Sequence, residues 1–398
     1  MKIAFTTVTT WPYVRRGMER FVNELAAFLA KEGHEVTVIS SKAGRKEVIE
    51  RDGFTSVLHR RLWHPLLAKI GLLEFHMFFF PCLWHLLRER YDVVLSVAFM
   101  DAFAAQVARR FTGVPSVFVP NGIPAKISYV RSLSLGGVVH GKAVRNADSL
   151  VLYSDYTRQY FLKRWQRDSV IIPMAFEPHK FRPRPELKGG PPRIVCAAAL
   201  QDKRKGGRLL MKAFDVLKEK RPDAILQIAS PLPNALQDQL LPHVSPQWRQ
   251  DVQFVTFKDQ DAASRWDNYD LPKLVAAATV SVLPSIWEPF GMVVIESMAA
   301  GTPVVAARDG ALPEIIKDPR IGLLFDPGDD SHAEPTNVEG LVQALDEGIE
   351  LGRNPETAQR CRDFALQYSW DNVGPRFEAL LKQIAGHSDP VSTIAGVS

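Results

Sequence analysis

Two glutamates with seven residues between them, Glu288 and Glu296, stand in the run 283–324, LPSIWEPFGMVVIESMAAGTPVVAARDGALPEIIKDPRIGLL. Carboxylates of this kind accept hydrogen bonds from sugar hydroxyls. On one unbroken α-helix they would lie about 80° apart in azimuth and about 12 Å apart along the axis, too far for both to grip one small ligand. Pro289 and Gly291 change that expectation, because they place Glu288 in a loop and start the helix near Gly291. Ile295, Met298 and Ala299 are then buried and Glu296 falls in the second turn. Both carboxylates face a ligand held at the helix N-terminus, where the backbone N–H groups of Phe290, Gly291, Met292 and Val293 and the positive dipole end suit a phosphate. The plainer alternative is a solvated helix flanked by an ordinary acidic residue.

The full string is more specific than the pair. Glu-Pro-Phe-Gly at 288–291, Glu296, Ala-Gly-Thr-Pro-Val-Val at 300–305 and Gly310 resemble the donor-site signature of the retaining GT-B glycosyltransferases, glycosyl transferases group 1, the family that includes sucrose synthase. The resemblance runs along nearly the whole chain and is strongest in the C-terminal half. It implies an α/β protein with two Rossmann-like domains facing across a cleft, and a C-terminal helix that crosses back onto the first domain. The implied reaction moves a sugar from a nucleotide-diphosphate sugar to a hydroxyl acceptor with retention; no spacing of His, Cys or carboxylate suits a metal site, so no metal or other cofactor is expected.

Such a transfer needs positive groups aimed at the departing diphosphate, whose charge rises as the glycosidic bond stretches. The run 199–207, ALQDKRKGG, follows a strand and precedes a helix, the context in which the family places an Arg and a Lys. Lys205 falls on the family lysine. The family arginine falls on Ala199, which leaves its role vacant or passes it to Lys203 or Arg204, with Arg204 favoured; a solvated charged turn is the alternative. The resemblance further assigns Glu296 to the ribose and Glu288 to the donor sugar, both through hydroxyls, with the amides of 290–293 holding sugar and phosphate. Gly17 matches the second glycine of a turn before the first helix, where Arg16 replaces the first. Asn121 stands where the family often has a histidine near the sugar. An amide does not titrate, so no protein base is expected there; front-face attack, with the acceptor proton passing to the leaving phosphate, requires none. Glu177 replaces part of a strand-end motif and is expected to be structural. Asp259-Gln260-Asp261 spells a metal-binding triplet of a different glycosyltransferase fold, and its polar loop context argues coincidence.

A chain of 398 residues, 46% hydrophobic, is long enough for two domains with separate cores. Cys82, Cys196 and Cys361 are odd in number and lie in apolar contexts, which argues for packed thiols in a reducing compartment. The N-terminus enters a strand without a charged leader or cleavage site, so the cytoplasm is the expected location, with the inner face of the membrane as a peripheral site. The net charge of +5 conceals an asymmetry: residues 1–185 hold 27 Lys and Arg against 15 Asp and Glu, a net +12, and residues 186–398 hold 22 against 29, a net −7. A basic first half attracts anionic partners such as a membrane surface or a lipid phosphate. Nucleic acid is not expected, since no zinc spacing, aromatic RNA-binding signature or basic repeat accompanies the charge.

Strand-like runs alternate with helical patterns, the signature of parallel α/β layers. In the first half the strands are 3–8, 35–40, 92–96, 116–119 and 149–152, closed by Ile171 and Ile172. A helix with apolar Met18, Phe21, Val22, Leu25, Phe28 and Leu29 follows the first strand and ends at Gly33. Residues 1–182 form the acceptor-side domain and 183–192 (PRPELKGGPP) the linker. Residues 193–365 form the donor domain, with strands 193–198, 224–229, 252–257 and 280–283, a helix around 209–217 and another opened by Asp270 and Pro272. Residues 366–385 are the crossover helix, broken near Ser369 and Trp370, and 386–398 a frayed tail. The segment 62–87 is strongly apolar and aromatic, but Pro65, Lys69, Glu74 and Pro81 keep it below the roughly 20 residues of a bilayer span. It reads either as buried helices or as an amphipathic surface that dips into the membrane, with Arg60, Arg61, Arg88 and Arg90 beside anionic headgroups.

Three functions remain in view. The leading one is a glycosyltransferase acting on a lipid-linked or cell-envelope glycan acceptor. The others are a non-catalytic nucleotide-sugar-binding protein, motivated by Ala199 and Asn121, and a sugar-nucleotide epimerase on the same fold.

Overall fold

The computed structural model describes residues 1–11, 13–14, 17–61, 74–123, 135–229, 233–255, 271–329 and 333–386. Arg16, residues 62–73, Asp259 to Asp261, Asp270 and the tail from 387 lie outside the described residues. The chain forms two units, one from Met1–Tyr153, Thr157–Pro173 and the chain from Trp370, the other from Ser154–Tyr156 and Met174–Ser369.

The first unit is built on an eight-stranded sheet. Its strands are β1 (Lys2–Thr6), β2 (Glu35–Lys42), β3 (Glu47–Arg51), β4 (Phe54–Arg60), β5 (Val93–Ser96), β6 (Ser116–Phe118), β7 (Ser149–Leu152) and β8 (Val170–Ile171), in the order β3-β4-β2-β1-β5-β6-β7-β8. All neighbours are parallel except β3 with β4. Ile3, Ala4 and Phe5 on β1 are fully buried, as expected of a strand covered on both faces. The helix Gly17–Lys31 supplies one cover through Phe21, Val22, Leu25 and Leu29. The β3–β4 hairpin goes beyond the regular alternation; its signal is the Asp52-Gly53 dipeptide, left-handed at both residues as a two-residue hairpin turn requires.

The helix Trp370–Ile384 belongs to this unit although it lies at the far end of the sequence. Trp370 Nε1 donates to Glu24 Oε2 at 2.9 Å, and the rings of Trp370 and Phe377 stand 5.5 and 5.6 Å from that of Phe21. The preceding break is a short 3-10 turn, Leu366–Tyr368.

The second unit holds a six-stranded parallel sheet: β9 (Arg193–Cys196), β10 (Ile225–Ala229), β11 (Val252–Val255), β12 (Val280–Leu283), β13 (Val304–Ala307) and β14 (Gly322–Phe325), ordered β11-β10-β9-β12-β13-β14. The helices Gly207–Lys220 and Val338–Arg353 pack one face with Leu210, Phe214, Leu341, Leu345 and Ile349, all fully buried. The change of unit comes after Pro173, ahead of the Pro- and Gly-rich stretch 183–192, because that stretch is fastened to the second unit. Lys188 Nζ donates to Thr302 Oγ1 at 2.9 Å and to the Ala278 carbonyl, and Arg193 Nη1 donates to the Leu187 and Ala277 carbonyls at 3.0 and 3.2 Å.

Candidate functional site

In the second sheet β9 has β10 on one side and β12 on the other, so the strand order reverses between β9 and β12. Ligands of open parallel sheets bind outside the carboxyl ends of the strands at such a switch point. The chain leaving β9 carries Lys205 and the chain leaving β12 carries Glu288. The two side chains meet there, Lys205 Nζ donating to Glu288 Oε2 at 2.5 Å, although 83 residues separate them in the chain. Glu288 is 9% exposed.

Backbone contacts shape the loop that presents Glu288. Ile286 N–H donates to the Arg204 carbonyl at 2.9 Å, tying the loop to the basic turn. Trp287 takes a left-handed φ of 58°, and its N–H donates to Asp309 Oδ1. Ala311 N–H donates to the Glu288 carbonyl at 2.9 Å. Gly310 closes this arrangement: a Cβ there would stand 2.5 Å from Glu288 O and 2.7 Å from Glu288 N, which no side chain tolerates. Asp309 and Gly310 therefore position Glu288 without belonging to the pair of carboxylates, and the Asp-Gly dipeptide after β13 was the signal for them.

Gly291 caps the next helix, Met292–Ala299, with φ 105°. Only glycine adopts this conformation without strain. Val294 N–H donates to the Gly291 carbonyl at 2.9 Å, and the opening N–H groups at Met292 and Val293 have no carbonyl one turn earlier in the helix. Phe290, Val294, Ile295, Met298 and Ala299 are buried, and Glu296, in the second turn, is 2% exposed. Glu288 thus lies in the loop, and the helix follows Gly291 directly.

The basic turn separates its cations. Asp202 caps the 3-10 turn Lys203–Lys205, accepting from Arg204 N–H at 3.1 Å, and Arg204 Nη2 donates to its Oδ2 at 2.6 Å. Arg204 is engaged by its own neighbour, whereas Lys205 faces Glu288; Lys203 and Ala199 are exposed. Cys196, at the end of β9, is buried, and burial pushes its thiol up to about 12. Cys361 is likewise raised to about 12 and Cys82 well above its ordinary value, so all three thiols are free, buried and protonated.

Gly17 and Asn121 lie in the other unit. Gly17 opens the helix after β1, the strand at which the first sheet reverses its order, and Thr6 Oγ1 donates to Ser96 Oγ across β1 and β5 at 2.7 Å. Asn121 is exposed beyond β6. Glu177 serves the backbone: its carbonyl accepts from Lys180 and Phe181 N–H at 3.1 Å each. Among the described residues no group of three or more His, Cys, Asp and Glu side chains is gathered as a metal would need. No described helix is long and apolar enough to cross a membrane.

The family model for glycosyl transferases group 1 matches residues 191–344, and that for glycosyltransferase family 4 matches 15–180. The chain thus carries a glycosyl transferases group 1 domain and a glycosyltransferase family 4 domain. Mannosylfructose-phosphate synthase of Agrobacterium fabrum is 33% identical over 179 residues, 43% of this chain and 38% of that protein. D-inositol 3-phosphate glycosyltransferase of Paenarthrobacter aurescens is 29% identical over 376 residues, 85% of this chain and 87% of that protein. The first curated relatives are matched over 38%, 21% and 51% of their own lengths. Among solved structures, sucrose-phosphate synthase from Thermosynechococcus elongatus superposes with a TM-score of 0.77 at 19% identity, covering 97% of this chain and 100% of that one. Anabaena Alr3699/HepE in complex with UDP-glucose gives 0.71 at 17% identity, over 96% and 100%. At these identities the structures establish the GT-B fold.

Proposed function

We propose that the chain transfers a sugar from a nucleotide-diphosphate sugar to a hydroxyl acceptor, retaining the anomeric configuration and using no metal. The observation that carries this reading is the meeting of Lys205 and Glu288 at the β9–β12 switch point, beside the N-terminus of the helix that carries Glu296. A diphosphate leaving group gains negative charge as its bond to the sugar stretches. A lysine and a helix N-terminus aimed at that charge stabilise the transition state more than the ground state. Donor binding exchanges the Lys205–Glu288 contact for two new ones: the ammonium turns to the diphosphate, and the carboxylate accepts from a sugar hydroxyl. Glu296 accepts from the ribose hydroxyls. The acceptor oxygen attacks from the face the diphosphate is leaving, and its proton passes to the departing phosphate oxygen, so Asn121 has no proton to move. The UDP and UDP-glucose held by Alr3699/HepE support a nucleotide-sugar donor. The net +12 over residues 1–185 favours an anionic, lipid-linked or cell-envelope acceptor at the cytoplasmic face of a membrane.

A second reading is a nucleotide-sugar-binding protein without transfer, favoured by Ala199 and by Arg204's engagement with Asp202. Thermal shift with UDP, GDP and ADP sugars identifies the donor, since a ligand that binds only the folded state raises Tm. Release of nucleoside diphosphate, retention in the product anomer and full activity in excess chelator are the expected results. Binding without turnover, even slow donor hydrolysis, establishes the second reading. An isomerised nucleotide sugar as the product points to an epimerase, and an inverted product or a requirement for metal removes the proposed mechanism.

A further inference from the structure

The helix Phe79–Arg88 of the first unit is apolar on two faces. Cys82 and Leu86 are buried, and the Phe79 ring stacks on Phe103 of the helix Phe99–Thr112 with centroids 5.6 Å apart. Phe80, Trp84 and Leu87, spaced so as to share the other face, are 58%, 57% and 41% exposed. A helix packed on one side ordinarily turns charged and polar residues to water on the other. Here the outward stripe ends in cations. The Arg88 guanidinium lies 3.9 Å from the Trp84 ring centroid, and Arg90 is exposed beyond it.

The neighbouring helix extends the pattern. One helix leads into β5 and the other leads out of it, so the two run in the same direction, and the Phe79–Phe103 stack sets their register. Their last turns are therefore level, which brings exposed Arg110 and Phe111, the latter 76% exposed, to the same end as Leu87 and Arg88.

We propose that this stripe docks the chain on the surface of an anionic lipid bilayer. The aromatic side chains enter the boundary between headgroups and acyl chains, and the arginines pair with lipid phosphates. Charge selects this occupant over a second copy of the chain. A twofold contact would set like patches together and bring Arg88 and Arg90 against their own equivalents, within a half of the chain whose net charge is +12. An anionic surface meets the same groups with opposite sign. The docking stands on the first unit alone and does not depend on the donor site.

The full chain is sedimented with vesicles of phosphatidylcholine alone and of phosphatidylcholine mixed with phosphatidylglycerol. It is expected to pellet with the mixed vesicles and to stay in solution with the neutral ones. Arg88→Gln with Arg90→Gln weakens binding by more than about tenfold, since each basic residue at an anionic surface strengthens it about fivefold. Phe80→Ser, Trp84→Ser and Leu87→Ser together abolish it while leaving Tm unchanged, because these side chains face outward. Brominated lipid quenches the parent's tryptophan fluorescence, and Trp84→Phe removes most of that quenching. Equal binding by the triple variant, equal binding to neutral vesicles, or no binding at all overturns the proposal. So does a dimer that the triple variant dissolves without any vesicle binding by the parent. Thermal shift with nucleotide diphosphates on the same preparations reports the donor site separately, so a chain that ignores vesicles but binds nucleotide sinks only the docking.

Discussion

The two units hold their polar groups with different material. In the second, loops meet through their backbones: the Ile286–Arg204 and Ala311–Glu288 bonds run from N–H to carbonyl, the Trp287 N–H donates to the Asp309 carboxylate, and Gly310 admits the closest approach. The first unit keeps its polar groups in place by packing side chains. His140 is buried with its ring against Phe99 and Trp165 at 5.8 and 5.1 Å. Asp101 is buried without exposure, and His85 links His59 to Tyr91 at 3.3 and 2.9 Å. A backbone-built site leaves glycines, prolines and acidic turns in the sequence, where they are legible. A site held by packed side chains leaves only ordinary apolar residues.

The largest effect testing this contrast comes from a methyl group added where backbone meets backbone. Gly310→Ala is expected to destabilise the second unit by about 2–4 kcal/mol, through a forced contact and a left-handed φ, and to erase the thermal shift given by the donor. Denaturant unfolding and ligand melting curves measure both; a neutral substitution would show that the loop is not tightly held. Next in size, Lys205→Ala should lower kcat by about 100- to 1000-fold, the usual cost of losing one transition-state charge partner, while KM for the donor moves far less. An equal change in both would make Lys205 a binding group only. Glu296→Gln should weaken donor binding by about tenfold to a hundredfold, as expected for a lost charge-assisted hydrogen bond, with kcat at saturating donor largely retained.

The smallest expected effect belongs to the first unit and to acid. Burial holds His85 and His140 down to about 4, and the neighbouring His59 adds to the shift of His85. A depressed folded pKa favours the neutral ring, so this stability is complete above the unfolded value of about 6.5 and is lost as the pH falls towards 4. Asp101 has the opposite sign. Burial raises it to about 7, so its contribution is complete below about 4 and is lost as the pH rises towards 7. Two histidines against one carboxyl leave a net loss in acid. His140→Phe, which keeps the stack, should recover about 1–2 kcal/mol near pH 5 and almost nothing near pH 8, read from urea midpoints at the two values. A pH-independent difference would show that the imidazole is not held neutral by its cage.

The alternation of strands and helices was legible because runs buried on both faces must be apolar throughout. Strand 149–152 and strand 280–283 fall where the pattern puts them. The β3–β4 hairpin escaped the pattern because its edge strand is mostly charged, with Glu47, Glu50 and Arg51 among its five residues. The place of Glu288 in a loop and of Glu296 in the second turn followed from Pro289 and Gly291. The partners of the cations did not: Arg204 with Asp202 is a local bond, but Lys205 with Glu288 joins loops from different strands.

What the amino-acid order fixed unaided is whatever depends on a residue and its near neighbours: the strand and helix periods, the left-handed turn at Gly291, the cap at Asp202 and the charge carried by each half. Folding alone decided which loops lie side by side, because the strand order of a parallel sheet is set by crossovers of many residues and leaves no mark at any one position. It also decided which apolar side chains remain outside, since Phe80, Trp84 and Leu87 differ from their buried neighbours Cys82 and Leu86 only in the direction their helix turns them.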